Sequence, residues 1–397
     1  MDDPLFEQRL ADGARHRTLP LTVRCPARCA SFLLPILLSG ACNPEPEFDV
    51  TRADALQEAL DELAPTWGAP GATAAVIDAE GAIWVGASGT RDVAAEQSMR
   101  PGHVTKAGST TKTVVAVVVL QLVEEGVLSL DDPVSRWWDG LPDGEEITVR
   151  NLLQHTSGLP AYLQLVADEG GLQDSWTTEE LLDVVADEPR LFEPGSSYAY
   201  ANTNYVLLGL IAELSAGRPW DRLVEERVFA ALELEGMSLP DDWGAVGPGY
   251  LVFEDHTLYE PEPDEPLRDV FHPSVLGPAG ALVSDAESLA RFGRALWGDG
   301  ELLTAESTAA HLSEAVEISD TMDYGLGVVL YEDDFGTQYF HNGAVTGYVA
   351  WVGHRPDERV TLALMANAWL LDGNDFTPDW NFDASASMWE VALEDVE

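Results

Sequence analysis

Residues 113–122, TVVAVVVLQL, constrain the fold more than any other stretch of this 397-residue chain. From Val114 to Leu120 every side chain is apolar, so a helix here shows no polar face at its 3.6-residue period and must be buried all round. Such a helix needs a large core, which a composition of 46% hydrophobic and 23% charged residues supplies. The run opens on Ser109 and Lys112, and Lys112 is one of two lysines in the chain, with Lys106. A lysine at the mouth of a fully apolar helix raises the question of what it does there.

Ser109 and Lys112 are three residues apart, which puts them on one helix face about a turn apart. A serine hydroxyl is a poor nucleophile near neutral pH and needs a base within hydrogen-bond reach. Lysine fills that role only if burial or nearby positive charge brings its pKa down from about 10.4. A buried helix whose first turn emerges in a cleft provides the burial, and its free N-terminal N–H groups lie beside Ser109. The plain alternative is a serine cap followed by a solvated lysine.

Charge excludes some classes of partner. With 21 Lys+Arg against 69 Asp+Glu, the formal net charge is −48, which repels nucleic-acid phosphates and anionic lipid head groups. The acidity is spread along the chain, as a solvating surface would be. All three cysteines, Cys25, Cys29 and Cys42, lie near the N-terminus, so the region after residue 42 holds no intrachain disulfide and no cysteine-ligated metal. Arg24 and Arg28 precede SFLLPILLSGAC, an apolar run of signal-peptide length that is short for a membrane span. Residues 1–42 therefore read as a signal peptide, with a start near Val23 as the alternative to the long charged leader. Small residues abutting Cys42 resemble a bacterial lipoprotein signal, although Ser39 stands where leucine is usual. The expectation is an exported protein of the periplasm or cell envelope, attached to the membrane through a lipid on Cys42 if that signal is used.

Residues 43–50 form a Pro- and acid-rich linker, and residues 51–397 a single domain. A helix capped at Thr51 is expected from the spacing of Ala53, Leu56, Ala59, Leu60 and Leu63. Residues 72–89 read as two strands around a turn at Glu80-Gly81. Residues 130–275 are mainly helical in pattern. Strand signals return at 324–331, 337–343, 347–356 and 360–367, before a final amphipathic helix near Ala384–Leu393. The expected class is α+β, an antiparallel sheet flanked by N- and C-terminal helices, with a mainly helical insertion.

Two further segments carry polar groups suited to a serine site. Tyr200-Ala201-Asn202 precedes an apolar helix, and His341-Asn342-Gly343 ends a strand. GSTTK, YANTNYVLLG and HNG, in that order, resemble the motifs of the serine β-lactamase and penicillin-binding-protein superfamily. Its branch of class C β-lactamases, D-Ala-D-Ala carboxypeptidases and esterases is the nearest match. LLQHTSGLP, FEPGSSYAYAN, AGALVSDAESLARF and YGLG extend the likeness over residues 51–395.

The resemblance implies a β-lactamase/transpeptidase-like fold and an acyl-enzyme, with Ser109 the nucleophile and Lys112 its base. Tyr200 would relay protons, and the choice of base between Lys112 and Tyr200 stays open. Asn202 would hold Lys112 and bind the substrate's amide. His341 takes the place of the lysine in the KTG motif, Gly343 follows in the same strand, and the N–H groups of Ser109 and Ala344 would form an oxyanion hole. Histidine weakens the permanent positive charge that would bind a substrate carboxylate. This ranks peptidase or esterase above true β-lactamase activity. His155, in HTSGL, is either a substrate contact or a paired structural group. No cofactor or metal is implied: HExxH, GxGxxG after a strand and GxSxG are all missing from the sequence. The partner is a small molecule or a peptidoglycan-derived peptide. The rival readings are an acyltransferase using the same intermediate and a catalytically silent envelope-binding protein.

Overall fold

The computed structural model describes residues 46–394 apart from 142–143, 254–257, 260–266, 373–374 and 377–378. Cys42 and the signal segment lie outside the described residues. The first helix is Val50–Trp67, and its cap is Asp49 rather than Thr51: the Asp49 carboxylate accepts from the Arg52 N–H at 2.8 Å. Leu56, Leu60 and Leu63 on this helix are buried, as their spacing predicts.

Nine strands form one antiparallel sheet: β1 (Gly71–Ile77), β2 (Ile83–Asp92), β3 (Gln97–Ser98), β4 (Val316–Ser319), β5 (Met322–Tyr324), β6 (Val329–Asp333), β7 (Gly336–Val345), β8 (Tyr348–Arg355) and β9 (Val360–Ala366). Their spatial order is β3-β2-β1-β9-β8-β7-β6-β5-β4. Strands far apart in sequence thus meet at the centre, where β1 pairs with β9 from Ala72↔Ala366 to Ile77↔Thr361. Alternate side chains of these strands enter different cores. Ala74, Val76 and Trp351 pack with the first helix and with Trp389 of the C-terminal helix Asp379–Leu393. Ala75, Ile77, Ala350 and Val352 face the helical body built around Thr110–Glu124. This is the expected fold class, a sheet between a helix pair and a helical insertion.

Two local expectations differ. The segment 324–331 is not one strand, because Gly325–Gly327 break it: the Leu326 N–H donates to the His311 carbonyl at 3.1 Å, and Gly327 has φ +94°. The mainly helical region also contains a strand, Tyr250–Phe253, which pairs in parallel with Ala368–Asp372. That pairing is a contact between distant segments, which local periodicity does not carry.

Every residue of the helix from Thr110 to Leu120 is buried. Fully burying one valine or leucine contributes about 1.5–3 kcal/mol, so this run anchors the helical body. Lys106 is buried too. Its Nζ donates to the Arg268 carbonyl at 2.6 Å and sits 4.1 Å from the Trp243 ring centre. Burial lowers its pKa to about 7, opposed by nearby Asp269.

Candidate active site

Ser109 sits at the start of the buried helix, where Gly108 turns the chain at φ +53°. The hydroxyls of Thr110 and Thr111 donate back to the Ala107 and Gly108 carbonyls at 3.0 and 2.6 Å. Ser109, the residue in the N-cap position, makes no side-chain capping bond. Its hydroxyl is therefore left for other partners, and the plain reading of a capping serine does not hold.

Those partners are Lys112 and Tyr200. Lys112 Nζ stands 2.9 Å from Ser109 Oγ and donates to the Ala279 carbonyl at 2.7 Å. It is fully buried, and among the described residues no carboxylate pairs with it. Burial alone holds its pKa well below the ordinary lysine value, favouring the neutral amine with a free lone pair. The Tyr200 hydroxyl is hydrogen-bonded to Ser109, and the ring centre lies 4.7 Å from Lys112 Nζ. Although 42% of Tyr200 is exposed, its hydroxyl end is desolvated, which raises the phenol pKa above its usual 10; the bond to Ser109 opposes this. The two groups beside Ser109 are thus driven apart, lysine toward the free base and tyrosine toward the acid.

Strand β7 closes the other side. A Cβ built on Gly343 would fall on the Ala107 carbonyl oxygen and 2.9 Å from the Ser109 nitrogen, so only glycine lets this strand lie against the nucleophile. A Cβ on Gly108 would stand 2.8 Å from the Ala344 nitrogen. The amides of Ser109 and Ala344 therefore belong to two backbone segments in close approach. Among the described residues the Ser109 N–H has no backbone acceptor, so it is available to an incoming oxyanion.

His341 is not the partly charged group expected from the sequence. Its Nδ1 lies 2.6 Å from the Asn342 carbonyl, which can only accept, so Nδ1 carries the proton. Nε2 then faces the Tyr324 hydroxyl at 3.1 Å. Burial lowers the His341 pKa to about 3, against the pull of the Asn342 carbonyl. It is a neutral, fixed ring near the active site. Asn202 also differs from expectation: it begins the helix Asn202–Ala216 and makes no hydrogen bond to Lys112, whose second partner is the Ala279 carbonyl. His155 lies against Tyr200 with ring centres 4.3 Å apart. The sequence reading missed the cluster of Tyr198, Tyr205 and Tyr324 around it. Order in sequence offered no signal for that cluster, and a backbone carbonyl such as Ala279 has none.

These buried histidines set an acid limit on stability. His311, which accepts from the Trp297 indole N–H at 3.2 Å, and His354 are lowered by burial to about 4, and His341 to about 3. The unfolded chain takes up protons near pH 6.5 that the folded state refuses, so their contribution is complete above pH 6.5 and is lost on acidification. Each histidine contributes up to about 1.4 kcal/mol of loss per pH unit inside its window. We expect the unfolding temperature to fall between pH 6.5 and pH 5, read by circular dichroism; a flat curve there would contradict neutral burial.

Comparison with known proteins agrees with this architecture. The family described as Beta-lactamase matches residues 56–383. Penicillin-binding protein 4 of Amycolatopsis lactamdurans is 30% identical over 331 residues, covering 78% of this chain and 84% of that protein. Esterase EstB of Burkholderia gladioli is 36% identical over 161 residues, 37% of this chain and 41% of the esterase. Among solved structures, a D-stereospecific amidohydrolase from Streptomyces sp. superposes with a TM-score of 0.71 at 30% identity, covering 86% of this chain and 98% of that one. The relatives include hydrolases of amides and esters on one shared fold. With the family matched along most of its length, the chain belongs to the beta-lactamase family, in the superfamily that also holds penicillin-binding proteins, esterases and D-Ala-D-Ala carboxypeptidases.

Proposed function

We propose that the protein is a serine hydrolase acting through an acyl-enzyme on amides or esters whose leaving group carries no carboxylate. The observation that supports it most is Ser109 Oγ held 2.9 Å from the buried Lys112 amine, which among the described residues has no carboxylate partner. Ser109 Oγ attacks the carbonyl carbon as its proton passes to Lys112 Nζ, and the carbonyl oxygen becomes an oxyanion facing the Ser109 and Ala344 amides. The intermediate collapses, the carbonyl–leaving group bond breaks, and the departing amine or alcohol takes a proton from Tyr200. Tyr200 is restored from Lys112. Water then attacks the acyl-serine, releasing the acid and the free Ser109 hydroxyl. The opposed shifts of Lys112 and Tyr200 favour this division of roles, base for the first and acid for the second.

The restriction on the leaving group follows from His341. A neutral imidazole whose Nδ1–H is already spent offers no charge to a carboxylate, and a chain of net charge −48 repels one. D-Ala-D-Ala peptides and β-lactams, which present a carboxylate near the scissile bond, therefore rank below simple amides and esters. The amidohydrolase and esterase among the relatives point the same way. The test compares kcat/KM for D-phenylalanine amide and its methyl ester with that for a peptide ending in D-Ala-D-Ala and for a chromogenic cephalosporin. We expect the uncharged leaving groups to be favoured by at least roughly tenfold, equivalent to about 1.4 kcal/mol of transition-state stabilisation. A preference for the carboxylate-bearing substrates would overturn this assignment.

A further inference from the structure

His155 holds the chain on both sides of Tyr200. The His155 carbonyl accepts the Ala199 N–H at 3.0 Å, and His155 Nδ1 accepts the Ala201 N–H at 3.2 Å. Asn204 Nδ2 meets the same ring nitrogen at 2.9 Å, and the Asn204 Oδ1 accepts from Ser157 Oγ at 2.6 Å. Because a backbone N–H can only donate, Nδ1 is the acceptor and the ring proton sits on Nε2. The ring also lies against the Tyr200 ring, tilted 35° with centres 4.3 Å apart.

This arrangement is costly in two ways. His155 adopts φ +56°, a left-handed conformation uncommon for a residue with a Cβ. Its Nε2–H is buried with no hydrogen-bond partner among the described residues, enclosed by the rings of Tyr200, Tyr205 and Tyr324. A core chosen for stability alone would favour glycine or asparagine at that backbone conformation and an apolar ring in that enclosure. The histidine supplies what neither an apolar ring nor glycine does, an acceptor for the amide that follows Tyr200.

We infer that His155 is the positioning residue for Tyr200, its carbonyl and Nδ1 fixing residues 199 and 201 so that the tyrosine hydroxyl stays on Ser109. The inference rests on the acyl-serine reading of Ser109. His155 itself is held toward the neutral form, since burial depresses its pKa well below the ordinary value. It takes no part in proton transfer.

If Tyr200 protonates the leaving group, its misplacement will harm poor leaving groups far more than good ones. The readout is the ratio of rates on a D-phenylalanine p-nitroanilide, which needs that proton, and on a p-nitrophenyl ester, which does not. Two variants separate acceptor from ring. His155→Asn keeps an acceptor on the same bond from Cγ and tolerates positive φ; His155→Phe keeps the ring and loses the acceptor. We expect His155→Phe to lower kcat on the anilide roughly 100-fold with little change in KM, against less than roughly threefold on the ester, in line with the loss of a general acid. His155→Asn should stay near the wild-type ratio. If His155→Phe does not fold, His155→Ala replaces it in the same comparison. Equal losses on both substrates, or an Asn variant as impaired as the Phe variant, would reduce His155 to a packing role and overturn the inference. A wild-type protein inert to both substrates would instead remove the acyl-serine reading, and this inference with it.

Discussion

Lys112→Met will abolish turnover and leave the protein about as stable as the wild type. The side chain is fully buried without a carboxylate partner, so the wild-type fold carries the desolvation of an amine that methionine would not. Against that gain, the Ala279 carbonyl loses its donor, a cost of about 1–3 kcal/mol that roughly offsets it. Catalysis has no such offset. Without Lys112, the Ser109 proton has no free base within reach, because the other neighbour, Tyr200, is held as the protonated phenol. The loss in kcat should be on the order of 10⁴-fold or more, as when one member of a nucleophile–base unit is removed. Unfolding midpoints and kcat measured on the same preparation check both halves. A variant that keeps activity within tenfold would hand the base role to Tyr200.

Gly343→Ala carries the second large effect, this time through the backbone. The added methyl group would collide with the Ala107 carbonyl, part of the rigid turn that presents Ser109. Neither side can give easily, since β7 is paired with β8 from Tyr339↔His354 to Val345↔Tyr348 and Ala107 N is bonded to the Leu282 carbonyl at 2.8 Å. The strand must move away from the nucleophile, carrying the Ala344 amide with it. Removing one oxyanion donor costs about 2.7–4 kcal/mol where measured, so kcat should fall by roughly 10²–10³. KM should change little, because the ground-state carbonyl relies less on those donors than the oxyanion does. A Gly343→Ala variant with wild-type kcat would show that β7 does not supply the second donor.

Much of the site was legible in the sequence, for physical reasons that can be named. A run apolar on every side, Val114 to Leu120, admits no exposed helix, and so the burial of Lys112 followed from its neighbours. The strands β1, β8 and β9 were equally direct: each is a short, largely apolar run, and the structure buries every residue of all three. Electrostatic detail was not legible. Whether His341 carries charge depends on burial, on a carbonyl one residue away and on Tyr324, which reach it only through the fold. The resemblance pointed to Asn202 as the group holding Lys112; the Ala279 carbonyl that holds it here was not legible, because a main-chain carbonyl leaves no trace in residue identity. The break at Gly325–Gly327 was missed for a related reason: its cause is the His311 carbonyl, brought there by a helix from elsewhere in the chain.

The acyl-serine is the centre of this account, and intact-mass spectrometry reads it directly. The protein from residue 44 onward is exposed to a reactive phosphonate ester, and separately to a fluorescent penicillin, with Ser109→Ala carried in parallel. The account predicts one phosphonate adduct per chain, absent from the Ser109→Ala variant, with the penicillin reacting more slowly. Folded protein that acquires no adduct from either probe, or an adduct that survives in the variant, would contradict it and favour a catalytically silent binding protein on the same fold.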